Sequence, residues 1–180
     1  EMCIRDRTWS AYKEQYSSNQ SLNGIVFENL VAYILSWCGV KNIYQQAEIR
    51  FVPNAIFDIF LYHPDKSYTL SLKTTLRERW KQADLEAYAL KNVFKNAKCY
   101  VVTLSEKEVN TRRRKYEQGE DFYNGLDGCI LADSAEFDEL VKELTNYEFR
   151  KSVRVSIVIA EDKHQNLEDL NELFELDQTD

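Results

Sequence analysis

Asp58, Lys73 and Glu86 have the residue types and spacing of a hydrolytic centre. Asp58 interrupts the apolar run Ile56-Phe57-Asp58-Ile59-Phe60-Leu61. Lys73 follows 15 residues later at the end of Tyr68-Thr69-Leu70-Ser71-Leu72-Lys73, and Glu86 stands 13 residues beyond it. A carboxylate on one strand, a lysine on the next and an acid on the following helix can converge on one divalent cation. Cutting a phosphodiester at neutral pH requires a nucleophilic water, stabilisation of the added charge in the transition state and help for the leaving oxyanion. Magnesium serves all three if acidic oxygens hold it and leave open positions. Asp58 and Glu86 are the expected Mg²⁺ ligands. Glu28 is the one charged side chain between positions 15 and 40, and is expected to bind a second ion or orient a water. Lys73 is expected to place its ammonium beside the phosphate and the attacking water.

These residues need a scaffold of strands and helices, and the pattern of the chain supplies one. A first helix is expected over 8–17 and a stronger one over 21–37, with Ser21 as N-cap and Cys38-Gly39 closing it. Apolar residues around most of the second helix predict that it is buried. Strands are expected at 44–52, 55–63 and 67–75, the last two joined by the turn-like His63-Pro64-Asp65-Lys66. Alternation puts Thr69, Ser71 and Lys73 on one face and Leu70 and Leu72 on the other. A helix over 77–95 carries the stripe Trp80, Ala83, Ala87, Leu90 and Phe94, with Arg79 and Glu86 on its border. A strand at 99–104, a polar helix containing Arg112-Arg113-Arg114-Lys115, a short strand near 128–132 and a helix over 134–145 capped by Asp133 follow. Residues 153–159 form a last strand or a connection. The predicted class is α/β, a mixed central β-sheet flanked by helices.

At 180 residues, with 44% hydrophobic and 13% aromatic composition, one domain with a substantial core is expected. We expect a non-native or disordered start at 1–7, the catalytic domain at 8–160 and an acidic tail at 161–180. The net charge of −7 is concentrated in that tail, so the overall acidity does not exclude a nucleic-acid partner. No apolar run is long enough to span a membrane, and nothing at the start has the make-up of an export signal. Cys3, Cys38, Cys99 and Cys129 form no CxxC pair. Small buried hydrophobes in a reducing, cytoplasmic setting are the expectation. His63 and His164 have no partner at metal or triad spacing, and no Gly-rich phosphate loop is present.

Asp58…Ser71-Leu72-Lys73 resembles the PD-(D/E)xK nuclease motif, with Phe57 in place of proline and Ser71 where the second acid usually stands. Glu86 looks like the compensating acid moved onto the helix. That migrated form, followed by Arg77-Glu78-Arg79, resembles type II restriction endonucleases of the EcoRII catalytic-domain and PspGI type. The resemblance covers roughly residues 20–105. It implies a restriction endonuclease-like fold and a Mg²⁺-dependent enzyme of restriction–modification that cuts double-stranded DNA. Its implied catalytic set is Glu28, Asp58, Ser71, Lys73 and Glu86. Arg77, Glu78 and Arg79 would read a CC…GG-type site, Arg matching guanine O6 and N7 and Glu accepting from cytosine N4. Such enzymes act as homodimers, and some flip the central base into an aromatic pocket, to which Trp9, Tyr12 and Tyr16 could contribute. The competing readings are a structure-specific repair or recombination nuclease and a catalytically inactive, nuclease-derived DNA-binding module.

Overall fold

The order of elements follows from the alternation and stripe patterns. In a computed structural model that describes residues 20–52, 54–151 and 157–161, these are α1 (Gln20–Trp37), β1 (Ile43–Ile49), β2 (Ile56–Leu61), β3 (Tyr68–Lys73), α2 (Arg79–Val93), β4 (Lys98–Thr103), α3 (Glu106–Glu117), β5 (Gly128–Leu131), α4 (Ala135–Thr145) and β6 (Ile157–Glu161). The helix expected over 8–17, Trp9, Tyr12, Tyr16, Cys3 and His164 lie outside the described residues. The six strands form one sheet in the order β5-β4-β3-β2-β1-β6. β2 pairs antiparallel with β1 and β3, β6 antiparallel with β1, and β3-β4-β5 run parallel. The mixed α/β architecture is the one expected.

Two apolar clusters cover the sheet, one on each face. On one, Phe27, Leu30, Val31 and Leu35 of α1 and Phe137, Leu140 and Leu144 of α4 pack on Leu70, Leu72, Val102 and Ile130. On the other, Trp80, Ala83, Ala87 and Leu90 of α2 and Val109 of α3 pack on Phe57, Phe60, Cys99, Val101 and Cys129. The stripe on α2 is therefore core, as its spacing predicts, and Cys99 and Cys129 are buried members of it. Burial pushes both thiols up to about 12.

Helix ends show where local chemistry prevails and where it does not. α1 stops at Gly39, whose φ of +96° lets its N–H reach Ser36 O at 2.9 Å and the Val40 N–H reach Leu35 O at 2.9 Å, a paired C-terminal cap. Ser21 is not its N-cap, because the helix already includes Gln20. Nor is α1 buried all round: Ile25 is 56% and Trp37 52% exposed, since only the Phe27-Val31-Leu35 side meets the sheet. α4 is capped by Ser134, whose hydroxyl accepts from the Phe137 N–H, not by Asp133. The serine backbone is extended there, as an N-cap requires.

Asp84 takes a core position on α2 although it is charged. It is 3% exposed and its Oδ1 accepts from the N–H groups of Asn124, Gly125 and Leu126 at 2.9, 2.9 and 3.0 Å. Its Oδ2 accepts from Asn124 Nδ2 at 3.0 Å. Burial alone would raise its pKa, but those donors outweigh it and hold the carboxyl below the ordinary aspartate range. A depressed folded-state pKa adds stability that is full above about pH 4, the unfolded value, and is lost as pH falls through the folded one. Asp84→Asn is expected to cost about 1.5–3 kcal/mol at pH 7, the range for hydrogen bonds to a charged group. The deficit should shrink in acid. Urea denaturation of both proteins from pH 7 down to pH 3 measures it, and a deficit that is constant across that range contradicts this account.

Candidate active site

Asp58 and Lys73 are brought together by neighbouring antiparallel strands. β2 and β3 pair with Ile59 opposite Leu70, so the residue before Ile59 and the end of β3 fall on one border of the sheet. Lys73 Nζ donates to Asp58 Oδ2 at 2.6 Å. The same oxygen accepts from the Leu72 N–H at 2.6 Å and from Ser71 Oγ at 3.4 Å. Asp58 is 7% exposed, and a buried carboxylate needs such hydrogen-bond donors in place of water. Ser71, where the resemblance leads one to expect an acid, thus donates to the carboxylate as a neutral group.

The β1–β2 ladder bends here. Tyr44, Ala47 and Ile49 all join the cluster under α2, as do Phe57 and Phe60, although residues three apart on a regular strand face opposite ways. The switch falls at Gln46, whose φ is +49°, and the β1–β6 register shifts between Gln45 and Glu48. A left-handed non-glycine residue within a strand is costly, and such strain concentrates at functional sites. Gln46 Nε2 donates to Glu28 Oε2 at 2.7 Å and to Asp58 Oδ1 at 3.5 Å. One amide therefore ties the α1 carboxylate to the β2 carboxylate. Sequence reasoning missed Gln46. The available signal was the polar pair Gln45-Gln46 in a half-buried strand, where Gln45 is itself buried.

Glu28 and Glu86 approach from the two helices. Glu28 is half-buried on α1, and burial, then the negative charge of Asp58, raise its pKa against the Gln46 hydrogen bond and the charges of Lys73 and Arg79. Glu86 is half-buried on α2 and accepts from Gln82 Nε2 at 2.8 Å. Burial raises its pKa too, opposed by Gln82 and Lys73 and helped by Asp58. Both acids thus feel the Asp58–Lys73 pair, and both carry the cost of desolvated negative charge that a cation would relieve. Among the described residues no three His, Cys, Asp or Glu side chains stand close enough to enclose a metal ion. The direct contacts join Glu28, Gln46, Asp58, Ser71 and Lys73, and Glu86 is linked to them through its field.

Arg77, Glu78 and Arg79 are all exposed, at the entry to α2. Glu78 pairs with Lys81 at 2.5 Å, and Arg79 lies close enough for its charge to act on Glu28. Trp80 is buried, with the Arg112 guanidinium 4.5 Å from its ring centroid. Two members of the basic run on α3 are engaged structurally: Arg112 pairs with Asp121 at 2.7 Å, and Arg113 pairs with Glu136 and donates to the Cys129 carbonyl at 3.1 Å. No described helix is long and apolar enough to cross a membrane.

No protein-family model and no curated protein matches the chain. Among solved structures, the chain is similar to the crystal structure of the type IIP restriction endonuclease Kpn2I, with a TM-score of 0.52 and 15% sequence identity. The match covers 77% of this chain and 60% of that one, so the chain spans less than two thirds of the length of the protein it matches. At that identity the likeness speaks to architecture. The chain has a restriction endonuclease-like fold, a mixed sheet between helices with the Asp58–Lys73 pair at one border.

Proposed function

We propose that this chain is a Mg²⁺-dependent type II restriction endonuclease domain that hydrolyses double-stranded DNA at a CC…GG-type site, of the EcoRII catalytic-domain and PspGI kind. The observation that carries the reading is the buried Asp58 carboxylate 2.6 Å from the Lys73 ammonium, beside two further acids, Glu28 and Glu86, whose pKa is raised by burial and then by the Asp58 charge. That donor set is all oxygen, which suits magnesium and not a softer metal. Asp58 and Glu86 would hold the ion and Glu28 would assist. When bound, the cation supplies Lewis-acid stabilisation to the phosphoryl group.

The chain's own residues contribute the rest. Lys73 places a fixed positive charge at the site, where it neutralises charge developing on phosphoryl oxygens. The Leu72 N–H and Ser71 hydroxyl fix the orientation of the Asp58 carboxylate. Gln46 holds Glu28 in register with Asp58. Arg77, Glu78 and Arg79 read base edges in the major groove, and Glu78 exchanges its surface pairing with Lys81 for a cytosine amino group. A two-fold site of this kind calls for a homodimer.

Incubation of the chain with unmethylated duplex DNA and Mg²⁺, followed by sequencing of fragment ends, tests the reading. Discrete ends that vanish with chelator support it. Arg77→Ala is expected to lower cutting at the preferred site by about 10- to 100-fold, the value of one bidentate base contact. Its melting temperature should stay near the parent's, because the side chain is exposed. An unchanged set of ends at an unchanged rate contradicts the base-reading role. Nicking confined to junctions or mismatches favours the repair-nuclease reading, and metal-independent binding without cutting favours the inactive DNA-binding module.

A further inference from the structure

Arg77 has a φ of +39°, a left-handed backbone that an arginine adopts only where its surroundings impose it. The imposing group is on another element. Glu108 on α3 accepts from the Leu76 N–H through Oε2 at 2.7 Å and from the Arg77 N–H through Oε1 at 3.1 Å. Each carboxylate oxygen takes one of these two backbone donors, across 32 and 31 residues of chain. The Leu76 carbonyl accepts from the Arg79 N–H at 2.7 Å, and the Leu76 side chain is 1% exposed. The backbone of the turn is thus held from three sides while the side chains of residues 77–79 face outward.

Local sequence alone would assign Glu108 a different task. Ser105-Glu106-Lys107-Glu108 has the S-x-x-E spacing in which a glutamate at the third helical position bonds back to its own N-cap. Here Ser105 makes no side-chain cap bond, and the carboxylate is turned onto residues 76 and 77. Burial would raise the Glu108 pKa, but the two backbone donors, Ser105 and the Arg77 charge outweigh it and keep the group ionised.

We propose that Glu108 is the positioning residue of the base-reading segment: by clamping the two N–H groups it holds Arg77 left-handed and sets the direction in which Arg77, Glu78 and Arg79 meet the DNA. This deepens the restriction-endonuclease reading and rests on it. The site being positioned also includes Arg79, whose charge reaches Glu28, so the clamp sets base reading against the catalytic border as one unit.

The test uses the full chain as Glu108→Gln, which keeps one acceptor oxygen, and Glu108→Ala, which keeps none. Parent and variants are given a pool of unmethylated duplexes with Mg²⁺, and the fragment ends are sequenced. Hydrogen exchange over residues 74–79 and the melting temperature are measured alongside. The ratio of cutting at the preferred site to cutting at the next-best site is expected to fall about tenfold in Glu108→Ala, the discrimination of one base contact, with Glu108→Gln between it and the parent. Exchange at Leu76 and Arg77 should quicken in the same order. A merely structural role would lower the melting temperature and total cutting together and leave that ratio alone. An unchanged ratio in either folded variant, while the parent cuts at discrete sites, overturns the clamp's role in specificity and leaves the nuclease reading standing. A parent that cuts no duplex with Mg²⁺ overturns the nuclease reading, and the role in base reading falls with it.

Discussion

Lys73→Met is expected to lower Mg²⁺-dependent DNA cleavage by at least about 10²–10³-fold, the usual loss when a charge-stabilising donor is removed from a transition state. The methionine keeps the length and most of the volume of the side chain, so packing at the end of β3 survives and the ammonium is what is lost. Asp58 Oδ2 retains the Leu72 N–H at 2.6 Å and the Ser71 hydroxyl at 3.4 Å, so the carboxylate is not left bare. A stability loss of about 1–3 kcal/mol is expected for the missing charged hydrogen bond, too little to unfold a domain of this size. Single-turnover cutting and urea denaturation on the same preparation separate the two effects. If the folded variant cuts within tenfold of the parent, Lys73 is only the structural partner of Asp58. The assignment of the site would then fail.

The largest effect on stability is expected from Gly125→Ala, far along the chain from that pair. A Cβ at position 125 would lie 2.0 Å from Tyr88 N, 2.5 Å from Ala87 C and 2.6 Å from Asp84 O. All three are backbone atoms of α2, which cannot swing aside as a side-chain tip can. The glycine is required by close approach of the loop to the helix, and that approach lets the N–H groups of 124–126 reach the Asp84 carboxylate. Adding the methyl both overpacks the contact and pulls the donors off a buried charge. Each is among the few mechanisms that produce large single-residue losses. Together they are expected to cost about 3 kcal/mol or more, or a fall in melting temperature of about 6–12 °C for a chain of this length. Thermal unfolding followed by circular dichroism reads this directly. A fall of less than about 2 °C would mean that the loop does not depend on this contact.

Much of the molecule was legible from local pattern alone. The apolar run of β2, the alternation of β3 and the stripe through Trp80, Ala83, Ala87 and Leu90 report burial against a neighbouring layer, and burial is imposed residue by residue along an element. Asp58 stands out as a charge within an apolar run and Lys73 as the charge that ends the polar face of β3, and the strand pairing sets them 2.6 Å apart. What only the tertiary structure decided is how distant segments bend to serve them. Gln46 and Arg77 are left-handed without being glycine, and no neighbouring residue announces it, because the compensating contacts come from Glu28, 18 positions away, and Glu108, 31 positions away. Asp84 carries a charge at a buried position of α2, which is intelligible only because residues 124–126 fold over it. Alternation and helical stripes are properties of one element. Strain and buried charge are tolerated only where a second element supplies the partner, so sequence spacing could nominate the reactive pair, while the packing of α1 and α3 determined how Gln46 and Arg77 beside it are held.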